Sequence, residues 1–230
     1  MRWHEKGLNE LDCAKLLKHL LKSGINTFHV SKEYSSYNLL KSAVSLLPPE
    51  EKSKIKVVLK VPFPNFREDY KKGACLEYLK SFLADCDLKR VFAVQLLDRW
   101  DQLNGERDLS RIARLEENLH LLKEEVKLIK VNSLAKVIYS FPYTVAYAKH
   151  LIQANAVDGF TVYGNSEETD YEFLLNEAVD VIAIRPLNAG KVLSYLSYGE
   201  AIRYMADKGY SGTIVSINSV KQAEAILKVL

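Results

Sequence analysis

Gly24-Ile25-Asn26-Thr27-Phe28-His29-Val30-Ser31-Lys32-Glu33-Tyr34 is the stretch on which the reading of this chain turns. A glycine leads into an apolar run of strand formers, and the run opens into a polar loop. Ahead of it, residues 11–22 carry Leu11, Ala14, Leu16, Leu17, Leu20 and Leu21 at helical spacing. Asn9 is placed to cap that helix, and Gly24 lies just past its end. Behind the stretch, residues 38–47 predict a second helix, stopped by Pro48-Pro49. Helix, glycine, strand, polar loop and helix make the repeat unit of an α/β barrel or a doubly wound sheet. His29 and Tyr34 fall at the carboxyl end of the strand, where such folds keep their chemistry.

The unit recurs. Strands are predicted over residues 25–31, 54–61, 90–97, 136–140, 157–163, 179–185 and 212–217. Helices are predicted over 38–47, 69–83, 109–127, 144–153, 171–178, 191–207 and 220–229. The strands are short and almost wholly apolar, as in a parallel sheet covered by helices. No linker rich in Gly, Pro or Ser divides them. The expectation is one α/β domain over residues 1–230, a (β/α)8 TIM-type barrel with its first strand missing or reduced. That strand would lie in residues 1–7, where only Met1-Arg2-Trp3 can pair. A doubly wound sheet stays open, because counting strands does not show closure.

Composition narrows the partners. The 230 residues are 48% hydrophobic and 27% charged, the balance of a soluble globular chain. The 32 Lys and Arg are interleaved with 29 Asp and Glu, so no nucleic-acid surface is expected. No apolar run reaches membrane length, so no membrane partner is expected either. The opening Met1-Arg2-Trp3-His4-Glu5-Lys6 is too polar for a secretory signal. Cys13, Cys75 and Cys86 are odd in number and form no Cys-x-x-Cys pair, which places the chain in a reducing cytoplasm. Cys13 and Cys75 read as packing residues in apolar helical stretches. No His, Cys or carboxylate cluster has metal-ligand spacing, so no metal is expected.

At residues 24–34 the chain resembles the aldo-keto reductases, whose pattern there is Gly-Ile-Asn-x-Phe-Asp-Thr-Ala followed by a tyrosine. The resemblance continues in order. Leu59-Lys60-Val61 is similar to the family's lysine strand, and Val94-Gln95-Leu96-Leu97 to its Gln-Leu-His strand. Ile138-Tyr139-Ser140-Phe141 is similar to Gly-Val-Ser-Asn, and Phe160-Thr161-Val162-Tyr163 to Gln-Val-Glu-Tyr. Residues 181–187, Val-Ile-Ala-Ile-Arg-Pro-Leu, match the seventh-strand pattern, and Gln222-Ala223-Glu224-Ala225 the last cofactor-binding segment. The order and spacing of these matches over residues 8–230 carry the case.

The resemblance implies a TIM-like barrel that reduces aldehydes and ketones with NADPH through a tetrad of Asp, Tyr, Lys and His. Tyr34 matches its tyrosine and Lys60 its lysine, while His29 stands for the Asp and Leu97 for the His. A phenol with pKa ~10 is a poor acid at neutral pH, and a neighbouring ammonium eases its ionisation. His29 supplies no negative charge, so this reading leaves Lys60 without its counter-ion. On the cofactor side the matching residues are Ser140, Tyr163 under the nicotinamide, and Gln222. Phe141, Phe160 and Ala225 replace polar positions, and no Arg lies in residues 218–221. The catalytic candidates are therefore Tyr34, Lys60 and His29, and the cofactor implied is NADP(H).

Three functions stay open: a carbonyl reductase acting on a small molecule, a non-catalytic barrel that binds or scaffolds, and a lyase or isomerase working through His29, Tyr34 and Lys60. Arg185 can bind an anion at the pocket mouth or make a structural salt bridge. Trp100 can line a cleft or cap the barrel. Backbone N–H groups of residues 216–219 can meet a phosphate. Open sheet edges beside a missing strand can be covered by a second copy of the chain.

Overall fold

The computed structural model describes residues 3–62, 70–97 and 108–228, the side chains of 108–111 excepted. Phe63, Pro64, Asp98, Arg99, Trp100 and Asp101 lie outside the described residues.

Among the described residues seven strands form one sheet: β1 (Thr27–Val30), β2 (Lys56–Val61), β3 (Val91–Leu97), β4 (Ala135–Phe141), β5 (Gly159–Tyr163), β6 (Asp180–Ile184) and β7 (Gly212–Ile214). Every neighbouring pair is parallel, and spatial order equals sequence order. A doubly wound sheet reverses order at a switch point. This one never does, so it is the seven-stranded, nearly closed form of a (β/α)8 barrel. The helices are α1 (Glu10–Lys22), α2 (Tyr37–Ser45), the single turn α3 (Pro49–Lys52), α4 (Ala74–Cys86), α5 (Asp108–Val131), α6 (Val145–Gln153), α7 (Tyr198–Asp207) and α8 (Val220–Leu227). As the sequence predicts, Asn9 Oδ1 caps α1 by accepting from Asp12 N at 2.9 Å. Among the described residues no helix is long and apolar enough to cross a membrane.

Of the residues expected to hold a reduced first strand, Met1 and Arg2 lie outside the described residues, and His4–Lys6 make a 3₁₀ turn. Trp3 is buried at the rim, and its indole N–H donates to Ile217 O at 3.0 Å, just past β7. His4 N donates to Ser36 Oγ at 2.9 Å, just past β1. The amino-terminal segment thus ties the two flanks of the seam together, and α1 packs on α8 outside it.

Alternation along each strand sorts the side chains into two cores. Phe28, Val30, Val57, Leu59, Val61, Val94, Leu96, Ile138, Phe160, Val162, Val181 and Ala183 face the helices and form the main core. Burial of a ring such as Phe82 or Phe160 stabilises by roughly 2–3 kcal/mol. Val58, Ala93 and Tyr139 fill the barrel interior, with Val137 and Ile182 against them. A Cβ at Gly159 would strike both the Tyr139 ring and the Asp180 carbonyl, so glycine there makes room for its register partner, the tyrosine of the neighbouring β4. Burial, then the charge of Asp180, pushes the Tyr139 hydroxyl up to about 12. Cys13, Cys75 and Cys86 are all buried and free.

Three predicted helices differ. The helix expected over 69–83 runs Ala74–Cys86. Glu125 of α5 is fully buried and accepts from Tyr70 Oη, Gly73 N and Cys75 N, so it fixes where α4 begins. The helix expected over 171–178 is a 3₁₀ turn, Glu172–Asn176, which stops where Glu177 takes an extended backbone. The helix expected over 191–207 is broken. A kinked 3₁₀ segment, Asn188–Ser194, is followed by α7, which starts afresh at a Ser197–Glu200 capping box.

Candidate functional site

The inner face of the barrel mouth is built from strand ends. His29 (β1), Lys60 (β2), Gln95 and Leu97 (β3), Phe141 (β4) and Tyr163 (β5) all fall on inward positions of the alternation. In register, Lys60 pairs with Gln95, and Gln95 with Tyr139.

Tyr34 comes from the loop after β1, and the loop is held from several sides. Ser31 Oγ accepts from Glu33 N at 3.2 Å, and Tyr34 N donates to Ser31 O at 3.2 Å. Lys32 N donates to Tyr78 Oη at 3.2 Å, and Lys32 Nζ reaches Ser81 Oγ at 2.7 Å and Asp85 at 2.9 Å on α4. The Tyr37 hydroxyl first, then Lys32, holds the Asp85 carboxyl down to about 2. Ser31 and Ser36 are both buried. A loop tied at this many points presents Tyr34 in one place.

The structure brings the three candidate catalytic residues together. Tyr34 Oη lies 3.4 Å from His29 Nδ1. His29 Nε2 lies 2.5 Å from Oε1 of the buried Gln95. A carboxamide oxygen accepts only, so Nε2 carries the proton and Nδ1 offers its lone pair to the Tyr34 hydroxyl. Burial lowers the His29 pKa to about 4, with the Lys60 charge adding to it and the Gln95 hydrogen bond opposing it. The imidazole is therefore neutral at neutral pH and does not repel Lys60.

Lys60 Nζ lies 4.8 Å from the centroid of the Tyr34 ring. It also lies 3.5 Å from Glu33 Oε2, with side chains 13% and 36% exposed. This corrects the expectation that Lys60 loses its counter-ion. The carboxylate is not on the strand, where His29 stands, but in the loop one residue before Tyr34. Glu33 and Gln95 are the two residues that sequence reasoning missed. Gln95 carried a signal, as the lone polar side chain in an apolar strand. Glu33 had only its place beside Tyr34.

The residues assigned to a cofactor are placed differently from one another. Tyr163 faces the mouth. The Arg185 guanidinium lies 4.7 Å from its ring centroid, and Phe141 meets it edge-on at 5.1 Å. Ser140 is buried and shares the helix-facing side of β4 with Ile138. Gln222 lies in the first turn of α8, where its Oε1 accepts from Asn218 N at 2.8 Å. Phe160 is wholly buried in the main core. Among the described residues no group of three His, Cys or carboxylate side chains is placed to hold a metal ion.

No protein-family profile and no curated protein matches the chain. Solved structures do match. An aldo-keto reductase of Bacillus halodurans in its holo form is 15% identical, with a TM-score of 0.67 over 96% of this chain and 82% of that one. An aldo-keto reductase enzyme from a Medee basin deep-sea metagenome library is also 15% identical, with a TM-score of 0.67 over 97% and 80%. Aldose reductase of Giardia lamblia is 13% identical, with a TM-score of 0.67 over 96% and 83%. At these identities the likeness is one of fold, and the fold of this chain is that of the aldo-keto reductases.

Proposed function

We propose that this chain is an aldo-keto-reductase-like carbonyl oxidoreductase, with Tyr34 as the group that exchanges a proton with the substrate oxygen. The observation that carries this reading is the Glu33–Lys60–Tyr34 grouping at the carboxyl ends of β1 and β2. A carboxylate keeps the lysine charged, and the ammonium over the phenol ring eases loss of the Tyr34 proton. The substrate oxygen would sit against Tyr34 Oη, and Leu97 would give it an apolar wall.

His29 acts behind the tyrosine. In the reducing direction Tyr34 Oη gives its proton to the carbonyl oxygen, and the phenolate left behind is stabilised by the Lys60 ammonium. Gln95 Oε1 holds Nε2–H, so the neutral His29 ring keeps Nδ1 toward Tyr34 Oη and positions it without taking up charge. In alcohol oxidation the phenolate takes the alcohol proton back.

NADP(H) is the hydride carrier that the resemblance implies. The residues present fit a nicotinamide dinucleotide at Tyr163, which stays partly exposed in the mouth, and not at Ser140 or Gln222. The chemistry derived above therefore concerns the proton alone.

The test is a titration with NADPH followed by fluorescence, then turnover over an aldehyde panel. Binding with turnover that disappears in Tyr34→Phe is the expected result. No binding up to millimolar cofactor sinks the reading, and binding without turnover makes the barrel a non-catalytic one. The Tyr34-to-His29 geometry also favours a second reading, proton transfer on a hydroxycarbonyl compound without a cofactor. Exchange of solvent deuterium into such a compound in the absence of NADPH would single it out.

A further inference from the structure

A second charged point stands on the other side of the mouth. Val181 and Ala183 of β6 face the helices, and Ile182 faces the barrel. Continued alternation would send residue 185 outward, away from the mouth. Arg185 instead takes φ +61, a left-handed backbone that residues with a Cβ adopt rarely. Its guanidinium lies over the Tyr163 ring on the inner face.

Two buried asparagines hold this turn. Arg185 O accepts from Asn188 N at 2.9 Å and from Asn165 Nδ2 at 3.1 Å. Asn165 Oδ1 accepts from the backbone N–H groups of Glu167 and Glu168 at 2.9 and 3.0 Å. Asn188 Nδ2 donates to Glu167 Oε2 at 2.7 Å. Asn165 and Asn188 are 1% and 8% exposed. Unfavourable backbone kept in place by buried side chains marks a position selected for where its side chain goes.

The positive charge there is lightly engaged. Its ion pair is with Glu168 Oε1, at 3.8 Å, beyond hydrogen-bond reach. The other oxygen of Glu168 is taken up by Asn165 Nδ2 at 2.5 Å. The Arg185 side chain is 44% exposed. A planar fork of N–H donors, held flat on a ring and half open to solvent, suits a carboxylate or phosphate bound through two oxygens.

β3, β4 and β5 separate β2 from β6 in the ring of strands. Lys60 and Arg185 therefore stand on opposite walls, with the apolar Leu97 and the Phe141 ring between them. We propose that Arg185, stacked on Tyr163, is the anion-recognition residue of this site, and that its ligands are carbonyl compounds carrying a carboxylate or phosphate group. The carbonyl end lies at Tyr34 and the anionic end at Arg185. This rests on the carbonyl oxidoreductase reading for the role of Tyr34, though the anion site stands on its own geometry.

The experiment has a binding arm and a turnover arm. In the first, thermal unfolding is followed with added succinate and with inorganic phosphate, at constant ionic strength. The wild type is expected to be stabilised by at least one of them, and Arg185→Met to lose that stabilisation. Arg185→Lys, which keeps the charge without the fork, is expected to retain part of it. In the second, succinic semialdehyde is compared with butanal. Arg185→Met should lower the ratio of their kcat/KM values by roughly 10- to 100-fold. If neither anion stabilises the wild type, or Arg185→Met is stabilised equally, the proposal is overturned. It is also overturned if Arg185→Met weakens NADPH binding and leaves the ratio unchanged, since the anion would then be the cofactor's. If neither aldehyde turns over while anion binding still depends on Arg185, the anion site stands and the oxidoreductase reading fails.

Discussion

The two walls of the barrel mouth are made by different means. On the β1–β3 wall, side chains do the work: Tyr34, His29 and Gln95 form a chain of polar contacts, and Lys60 is set between Tyr34 and Glu33. None of these five residues has a positive φ. On the β4–β6 wall the backbone does the work. Tyr143, Arg185, Asn188 and Ala189 all have positive φ, and they lie in the loops after β4 and β6. One wall is suited to moving a proton, which needs donors and acceptors in line. The other is suited to recognition, which needs a charge brought to a place that regular alternation would not put it. Residue type announces Tyr34, Lys60 and His29 on the first wall and names Arg185 as an anion candidate on the second, but only the traced chain places Arg185 over Tyr163.

The largest effect that can break this contrast is at Tyr34. Tyr34→Phe keeps the ring under Lys60 and removes the exchangeable proton. It is expected to cut kcat by about 10²- to 10⁴-fold, measured with the best aldehyde of a panel. An unchanged kcat would move the chemistry away from the β1–β3 wall.

Next is the pH dependence of His29. Unfolded, its imidazole has the ordinary pKa of 6.5, and folded it is held near 4. As pH falls below 6.5 the unfolded chain takes up the proton first, so stability is lost between about 6.5 and about 4 and levels off below. The loss amounts to about 3 kcal/mol at most. Chemical denaturation across that range measures it, and His29→Gln should flatten the curve. The same slope in wild type and variant would mean that another group is responsible.

On the opposite wall, Asn165→Ala removes a buried hydrogen bond to Arg185 O and the turn at Glu167 and Glu168. A destabilisation of roughly 1–3 kcal/mol is expected from denaturant midpoints. Selectivity for anionic aldehydes should fall along with it. Lost stability with unchanged selectivity would show that Arg185 does not depend on its backbone for its place.

The smallest effect is at Glu33. Its pair with Lys60 is partly exposed, so Glu33→Gln should cost at most about 1 kcal/mol in either stability or transition-state binding. In kcat that is roughly a fivefold decrease, with KM little changed. A loss as large as that of Tyr34→Phe would make Glu33 a direct participant.

Much of this could be read in the chain itself. The run from Gly24 to Val30 announces a buried strand, and the periodicity of residues 11–22 and 109–127 announces the helices that cover the sheet. Tyr34, Lys60 and His29 were legible as a group because each sits at or just past the end of a strand. The break before α7 is missed by reading one helix over 191–207, although Ser197 and Glu200 have the spacing of a capping box. The 3₁₀ turn after Tyr171 was not legible, because Glu172, Leu174 and Leu175 are good helix formers and nothing local marks the extended backbone at Glu177 that ends it. The start of α4 depends on Glu125, some fifty residues away in sequence, and local pattern carries no trace of such a partner.

The sequence by itself determined the class of fold, the sequential order of βα units, and a tyrosine, a lysine and a histidine at neighbouring strand ends. Periodicity and residue chemistry act locally, and these features need nothing more. Tertiary structure alone decided that Glu33 replaces the missing strand carboxylate, that Gln95 sets the His29 tautomer, and that Arg185 turns inward over Tyr163. Each of these depends on a contact between distant segments, or on one backbone angle that such contacts hold.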